Sequence, residues 1–223
     1  MRLLDLYRHT DPALARALEE RVDLAKIARE GGLAMSPQKG GLPAQKGPGA
    51  YIKKYFADSA GAAAKFLARD DGPRIGALAF DGWDTHADEG AASGHLALWL
   101  DALDGALAAV ESGMGPAWQE TVVTVVTEFG RTARINGTAG TDHGTATVAL
   151  LAGGAVKGGR VISDWPTLKP TSLYEARDLK PTTDLRAVIK GVLSDHLGIG
   201  ERVLAEAVFP DSAATRPLKG LVT

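Results

Sequence analysis

Cysteine is absent from all 223 residues. Disulfides and thiolate metal ligands are thereby excluded, and any bound metal must take His, carboxylate or other oxygen and nitrogen donors. No apolar run approaches the ~20 residues of a membrane span, so no spanning segment is expected. The opening stretch, Met1 to Tyr7, has one arginine and a short apolar run, is too short for a signal peptide and lacks a small-residue cleavage site. The expectation is a soluble chain whose own residues carry no export signal. Basic residues are spread out and the formal net charge is -2, which argues against nucleic acid as a partner. There is no Gly-x-Ser-x-Gly elbow, so an α/β-hydrolase serine is not indicated. The glycine-rich stretch Gly153 to Gly158 lacks the phosphate-loop order and reads as a turn. No internal repeat is visible.

What is present suits one compact domain: 45% of the residues are hydrophobic, enough for a core. Helical and strand-like patterns alternate, which predicts an α/β fold with a mostly parallel sheet flanked by helices. Residues 1–73 read as a helical segment and 74–209 as a sheet-and-site core. Asp11-Pro12 opens a first helix that runs through Leu14, Leu18, Val22, Leu24 and Ile27. A glycine- and proline-rich loop over 35–49 precedes a second helix from Tyr51 to Arg69. Arg74 to Phe80 reads as a strand. Leu96, Leu100, Leu103, Leu107 and Val110 recur at steps of three and four, predicting the apolar face of a helix that starts near Ser93 and ends at Gly113 to Gly115. The β-branched run Thr121 to Thr127 suits a buried central strand. A further strand is expected over Ala146 to Ala152, a short edge strand at Val161-Ile162, and a last helix over Thr183 to Leu197. Residues 210–223 read as a tail or surface strap.

Groups able to bind a metal gather beside the expected strands. In an open α/β sheet, ligands bind beyond the carboxyl ends of parallel strands. Asp84-Thr85-His86 puts a carboxylate and an imidazole on the same side of an extended segment, although a turn has the same composition. Glu128 directly follows a buried run, where a carboxylate needs compensation from a metal or from an ion pair with Arg131. Asp142-His143 sits between two glycines, as a pair of ligands, as an Asp orienting a ligand His, or as a surface turn. The coincidence of all three predicts a divalent-metal site drawn from Asp84, His86, Glu128, Asp142 and His143. Among the other histidines, His9 and His95 read as surface or packing residues, and His196 suits a helix C-terminus.

The set GWDTH (82–86), TEFGRT (127–132), GTDHG (140–144) and KPTTDLRAVIKGVLSDHLGI (180–199) closely resembles domain-of-unknown-function family 1501. The resemblance covers nearly the whole chain and is sharpest from Phe80 to Phe209. That family is similar to the alkaline phosphatase and sulfatase superfamily, and its members are bacterial proteins that commonly bear a twin-arginine export signal. The resemblance implies a metal-dependent hydrolase of small anionic esters, periplasmic or otherwise exported, with Zn or Mn as the metal and Mg or Ca as alternatives. It implies Asp84, His86 and His143 as ligands of one ion and Glu128 beside a second. It gives Arg131 the substrate anion and Asp142 a ligand or orienting role. The superfamily has Asp-His where this chain has Glu128-Phe129. It also begins with a strand leading to an Asp and then to a Ser or Thr nucleophile, a pattern that residues 1–73 lack. The expectation is therefore the C-terminal part of a longer unit, with little hydrolysis by the chain alone and the missing half, or another chain, as partner. A competing reading is a non-catalytic binding or envelope-assembly module with a structural polar cluster.

Overall fold

Alanine and glycine set how closely the two longest helices among the described residues approach. The computed structural model describes residues 48–223, so the helix expected over 11–27 lies outside the described residues. Helix α1 spans Pro48–Leu67 and helix α2 spans His95–Met114. The alanine-rich half of α1 favours a helix by propensity. The chain turns beyond it at Gly72, whose N–H donates to Arg69 O, and Pro73 lacks the N–H that would continue the helix. Helix α2 ends at Gly115, which takes φ 54° before Pro116.

The buried stripe of α2 differs from the leucine face expected from its periodicity. Ala102 and Ala106 are the buried residues of this helix, while Leu100 is largely exposed. Small residues win because α1 comes so near. A Cβ at Gly113 would stand 2.7 Å from Ala64 Cβ and 3.0 Å from Gly61 O. Phe56, Ala60, Ala102 and Ala106 form the buried cluster, with Ile52, Phe80, Trp83, Trp99 and Val110 packed around it. Phe56 stacks on Phe80 with centroids 4.1 Å apart.

Residues 74–80, expected as a strand, join no ladder among the described residues. Ile75 and Leu78 face solvent, and only Phe80 is drawn into the helix pair. The strand pairs that do form are both antiparallel. Strand β1 (Val123–Val125) pairs with β4 (Leu150–Ala152), and β2 (Gly130–Arg131) pairs with β3 (His143–Gly144). Val161, expected on an edge strand, is almost fully exposed.

Helix α3 spans Leu185–Leu197. Asp184 caps it by accepting from the Arg186 N–H at 2.8 Å, and Gly198 closes it in the left-handed region at φ 66°. Val188 and Val192 of α3 meet Val122, Leu151, Leu218, Leu221 and Val222 in a second apolar cluster. The C-terminal residues are thus part of a core, where the sequence suggests a tail or strap. Leu221 and Val222 are buried, and the buried Lys190 ammonium donates to Ser212 O (2.6 Å) and Thr215 O (2.9 Å). Among the described residues no helix is long and apolar enough to cross a membrane.

Candidate metal centre

The helix pair aims the first two donors. Trp83 is packed on the α1–α2 cluster, and Trp99 of α2 donates its indole N–H to Asp81 O at 2.9 Å. Gly82 lies so close to the Trp99 ring that a Cβ there would stand 2.6 Å from Nε1. The chain then turns tightly at Asp84, where the Thr85 N–H donates to Trp83 O at 3.0 Å. Thr85 turns inward and is buried, so Asp84 and His86 on either side of it point outward together. The third donor comes from the β2–β3 hairpin, whose register sets Arg131 opposite His143. Phe129 lies against the His143 ring, with centroids 4.3 Å apart.

Three atoms converge. His143 Nε2 is 2.9 Å from Asp84 Oδ1, His86 Nε2 is 3.0 Å from the same oxygen, and the two Nε2 atoms are 3.2 Å apart. Two donors that each lie ~2.1 Å from one ion stand about 3.0 Å apart at a right angle and about 3.4 Å apart at the tetrahedral angle. The three spacings therefore fit a shared ion. His86 Nδ1 faces Asp142 Oδ1 at 3.2 Å, and an N–H there leaves the Nε2 lone pair directed at the Asp84 carboxylate. Two lone pairs at 3.0 Å repel unless a proton or a metal cation stands between them.

Asp84 is held as an anion. Its carboxyl is lowered to about 2, first by the hydrogen bond from His143 and next by that from Arg131, against the opposing effect of desolvation. Asp142 is also lowered, chiefly by the Asn136 amide and then by His86.

Among the sequence-derived residues, Asp84, His86 and His143 are the group whose donor atoms come within 4.8 Å of one another. Asp142 touches His86 on the ring edge away from that group. Glu128 is exposed and stands outside the converging set. No Glu128–Arg131 ion pair forms. The Arg131 guanidinium instead donates to Asp84 and to Thr141 O, and its Nε donates to Thr141 Oγ1 at 2.9 Å. Thr141 Oγ1 in turn donates to Glu89 Oε2 at 2.6 Å. His95 stacks on Trp99, and His196 falls in the last turn of α3.

Sequence reasoning missed Asn136, Thr141 and Glu89. Ile135-Asn136-Gly137 has the composition of any turn, and what marks Asn136 is spatial. Its side-chain N–H groups reach His86 O at 2.9 Å and Asp142 Oδ1 at 3.1 Å, across 50 residues of sequence in the first case.

Neither a curated protein nor a solved structure matches the chain. The model of a family of proteins of unknown function, DUF1501, matches residues 5–208, and the chain belongs to that family.

Proposed function

We propose that the chain holds one divalent ion on Asp84, His86 and His143 and that this centre serves a hydrolase of small anionic esters, of the alkaline phosphatase and sulfatase type. The observation that carries the reading is the convergence of one carboxylate oxygen and two imidazole nitrogens within 3.2 Å of one another on an exposed face. Two imidazoles and a carboxylate suit Zn or Mn best among common divalent ions. When bound, such an ion polarises an ester oxygen and lowers the pKa of a water molecule.

The chain's own residues divide the remaining work. Asp84 supplies the negative charge that retains a cation, and Arg131 fixes that carboxylate in place. The same guanidinium adds positive charge for an anionic substrate group. Glu128 is outside the group, so the reading takes a single ion. The proposal includes the mostly parallel α/β sheet of the superfamily, an exported location, and a nucleophile that residues 1–223 do not supply.

One observation favours the non-catalytic alternative. Arg131 already compensates Asp84, as it would in a structural polar network. Metal analysis after exhaustive dialysis against micromolar Zn or Mn separates the two. The metal reading expects about one ion per chain in the wild type and none after His86→Ala plus His143→Ala. No ion in the wild type, or equal occupancy in the double variant, refutes it and leaves the polar network.

A further inference from the structure

We propose that Asn136 and Asp142 are positioning residues for His86, and that Asp142 acts through the ring rather than as a ligand. The inference rests on the metal reading above for its effect on affinity, but its structural content stands separately.

Asn136 is held at both ends of its amide. Its Oδ1 accepts from the backbone N–H of Thr138 and of Gly140, each at 3.0 Å. Those two donors fix which end of the amide is oxygen, so Nδ2 must face the other way. There it donates one N–H to Asp142 Oδ1 at 3.1 Å and the other to His86 O at 2.9 Å. Thr138 Oγ1 also lies 2.7 Å from His86 O. One side chain therefore fixes both the backbone of His86 and the carboxylate that faces its ring.

Asp142 is itself fixed in the hairpin. Its N–H donates to Thr132 Oγ1 at 3.1 Å, and its carbonyl accepts from the Thr132 N–H at 2.9 Å. Its carboxylate oxygen lies 3.2 Å from His86 Nδ1, while His86 Nε2 lies 3.0 Å from Asp84. The two ring nitrogens look in different directions, so a proton held on Nδ1 by Asp142 leaves Nε2 as the nitrogen able to give its lone pair to an ion shared with Asp84. Which nitrogen carries the proton is set by the bond the other makes. A carboxylate behind an imidazole ligand orients it and strengthens it as a donor.

The test uses the full chain, in wild-type form and with Asn136→Ala, Asp142→Ala and Asp142→Asn. Long-range nitrogen–proton spectra of the imidazoles are recorded on metal-free protein at pH 8, and titration calorimetry with Zn alone gives the affinity. The expected result is a protonated His86 Nδ1 in the wild type, whatever the state of Nε2, and a smaller protonated fraction at Nδ1 in Asp142→Ala. Zn affinity falls about 10–100-fold in Asp142→Ala and in Asn136→Ala. Backbone amide spectra report folding, and Asp142→Asn keeps the side-chain shape where the alanine variant does not fold. A His86 Nδ1 that carries no proton in the wild type, or whose protonation is indifferent to Asp142, overturns the inference whether or not Zn binds. A wild type that binds no Zn but shows the expected Nδ1 protonation overturns the metal reading alone.

Discussion

Gly140→Ala is the smallest change expected to damage the proposed metal centre without touching one of its three donors. Gly140 is buried against the segment that carries His86. An added Cβ would stand 2.3 Å from His86 C, 2.4 Å from His86 O and 2.5 Å from Ala87 N. Ordinary contact begins at 3.4 Å, so the two backbone segments must part by about 1 Å. No flexible side chain is available to absorb that shift. The same separation strains the Asn136–His86 O bond of 2.9 Å and the Thr141 N–H to Thr85 O bond of 3.2 Å. Overpacking of this kind costs about 1–3 kcal/mol. For a chain of this length that lowers the melting temperature by about 3–10 °C in chelator. Metal–ligand distances tolerate only about 0.2 Å, so Zn affinity should fall at least ~10-fold. Gly137→Ala, in the same loop, is the control: nothing lies within 4 Å of its added Cβ, and the change should stay within about 0.5 kcal/mol. Thermal melts in EDTA and Zn titrations of both variants decide the matter. A Gly140→Ala protein that melts and binds like the Gly137→Ala protein refutes the close approach.

Two further outcomes concern stability. Asp184→Ala should cost about 1 kcal/mol by removing the α3 cap. The Asp184 carboxyl is lowered to about 2, chiefly by its hydrogen bond from Arg186, so the stabilisation is complete above about pH 4 and is lost as pH falls through 2. Denaturant melts of the two proteins should therefore differ at pH 6 and converge by pH 2, and a constant gap would contradict the assignment. Lys190→Met should leave Ser212 O and Thr215 O without their ammonium donor, at about 1–3 kcal/mol for each carbonyl left unsatisfied. Limited proteolysis should then cut the residues after Phe209 first, and unchanged protection would show that the apolar contacts of Leu221 and Val222 suffice.

Helices were legible because their signals are local. The expected Tyr51–Arg69, Ser93–Gly113 and Thr183–Leu197 helices correspond to Pro48–Leu67, His95–Met114 and Leu185–Leu197, within a few residues. Which face α2 buries was not legible. Periodicity ranks leucine above alanine, whereas the approach of Gly61 and Ala64 rewards whatever is small. Strands fared differently, since pairing is decided by residues far away in sequence. Thr121–Thr127 contributes only Val123–Val125 to a ladder, and its partner Leu150–Ala152 runs antiparallel. At the metal centre, the donors Asp84, His86 and His143 stood out by residue type. Arg131 was noticed for its charge, but its partner is Asp84 rather than the neighbouring Glu128. Asn136 carries no charge and binds no ion, so only the fold reveals what it holds.

The openness of the centre has a consequence for supply. The side chains of Asp84, His86 and His143 retain 47%, 48% and 55% of their solvent exposure. A buried structural ion is trapped when the chain folds and records the conditions of that moment. An ion held at this surface, as proposed, would instead equilibrate with the medium, since Arg131 and the Asn136–Asp142 pair arrange the donors without it. On the proposed metal reading, occupancy would follow free metal concentration by mass action, so the compartment, more than the folding pathway, would select the divalent ion.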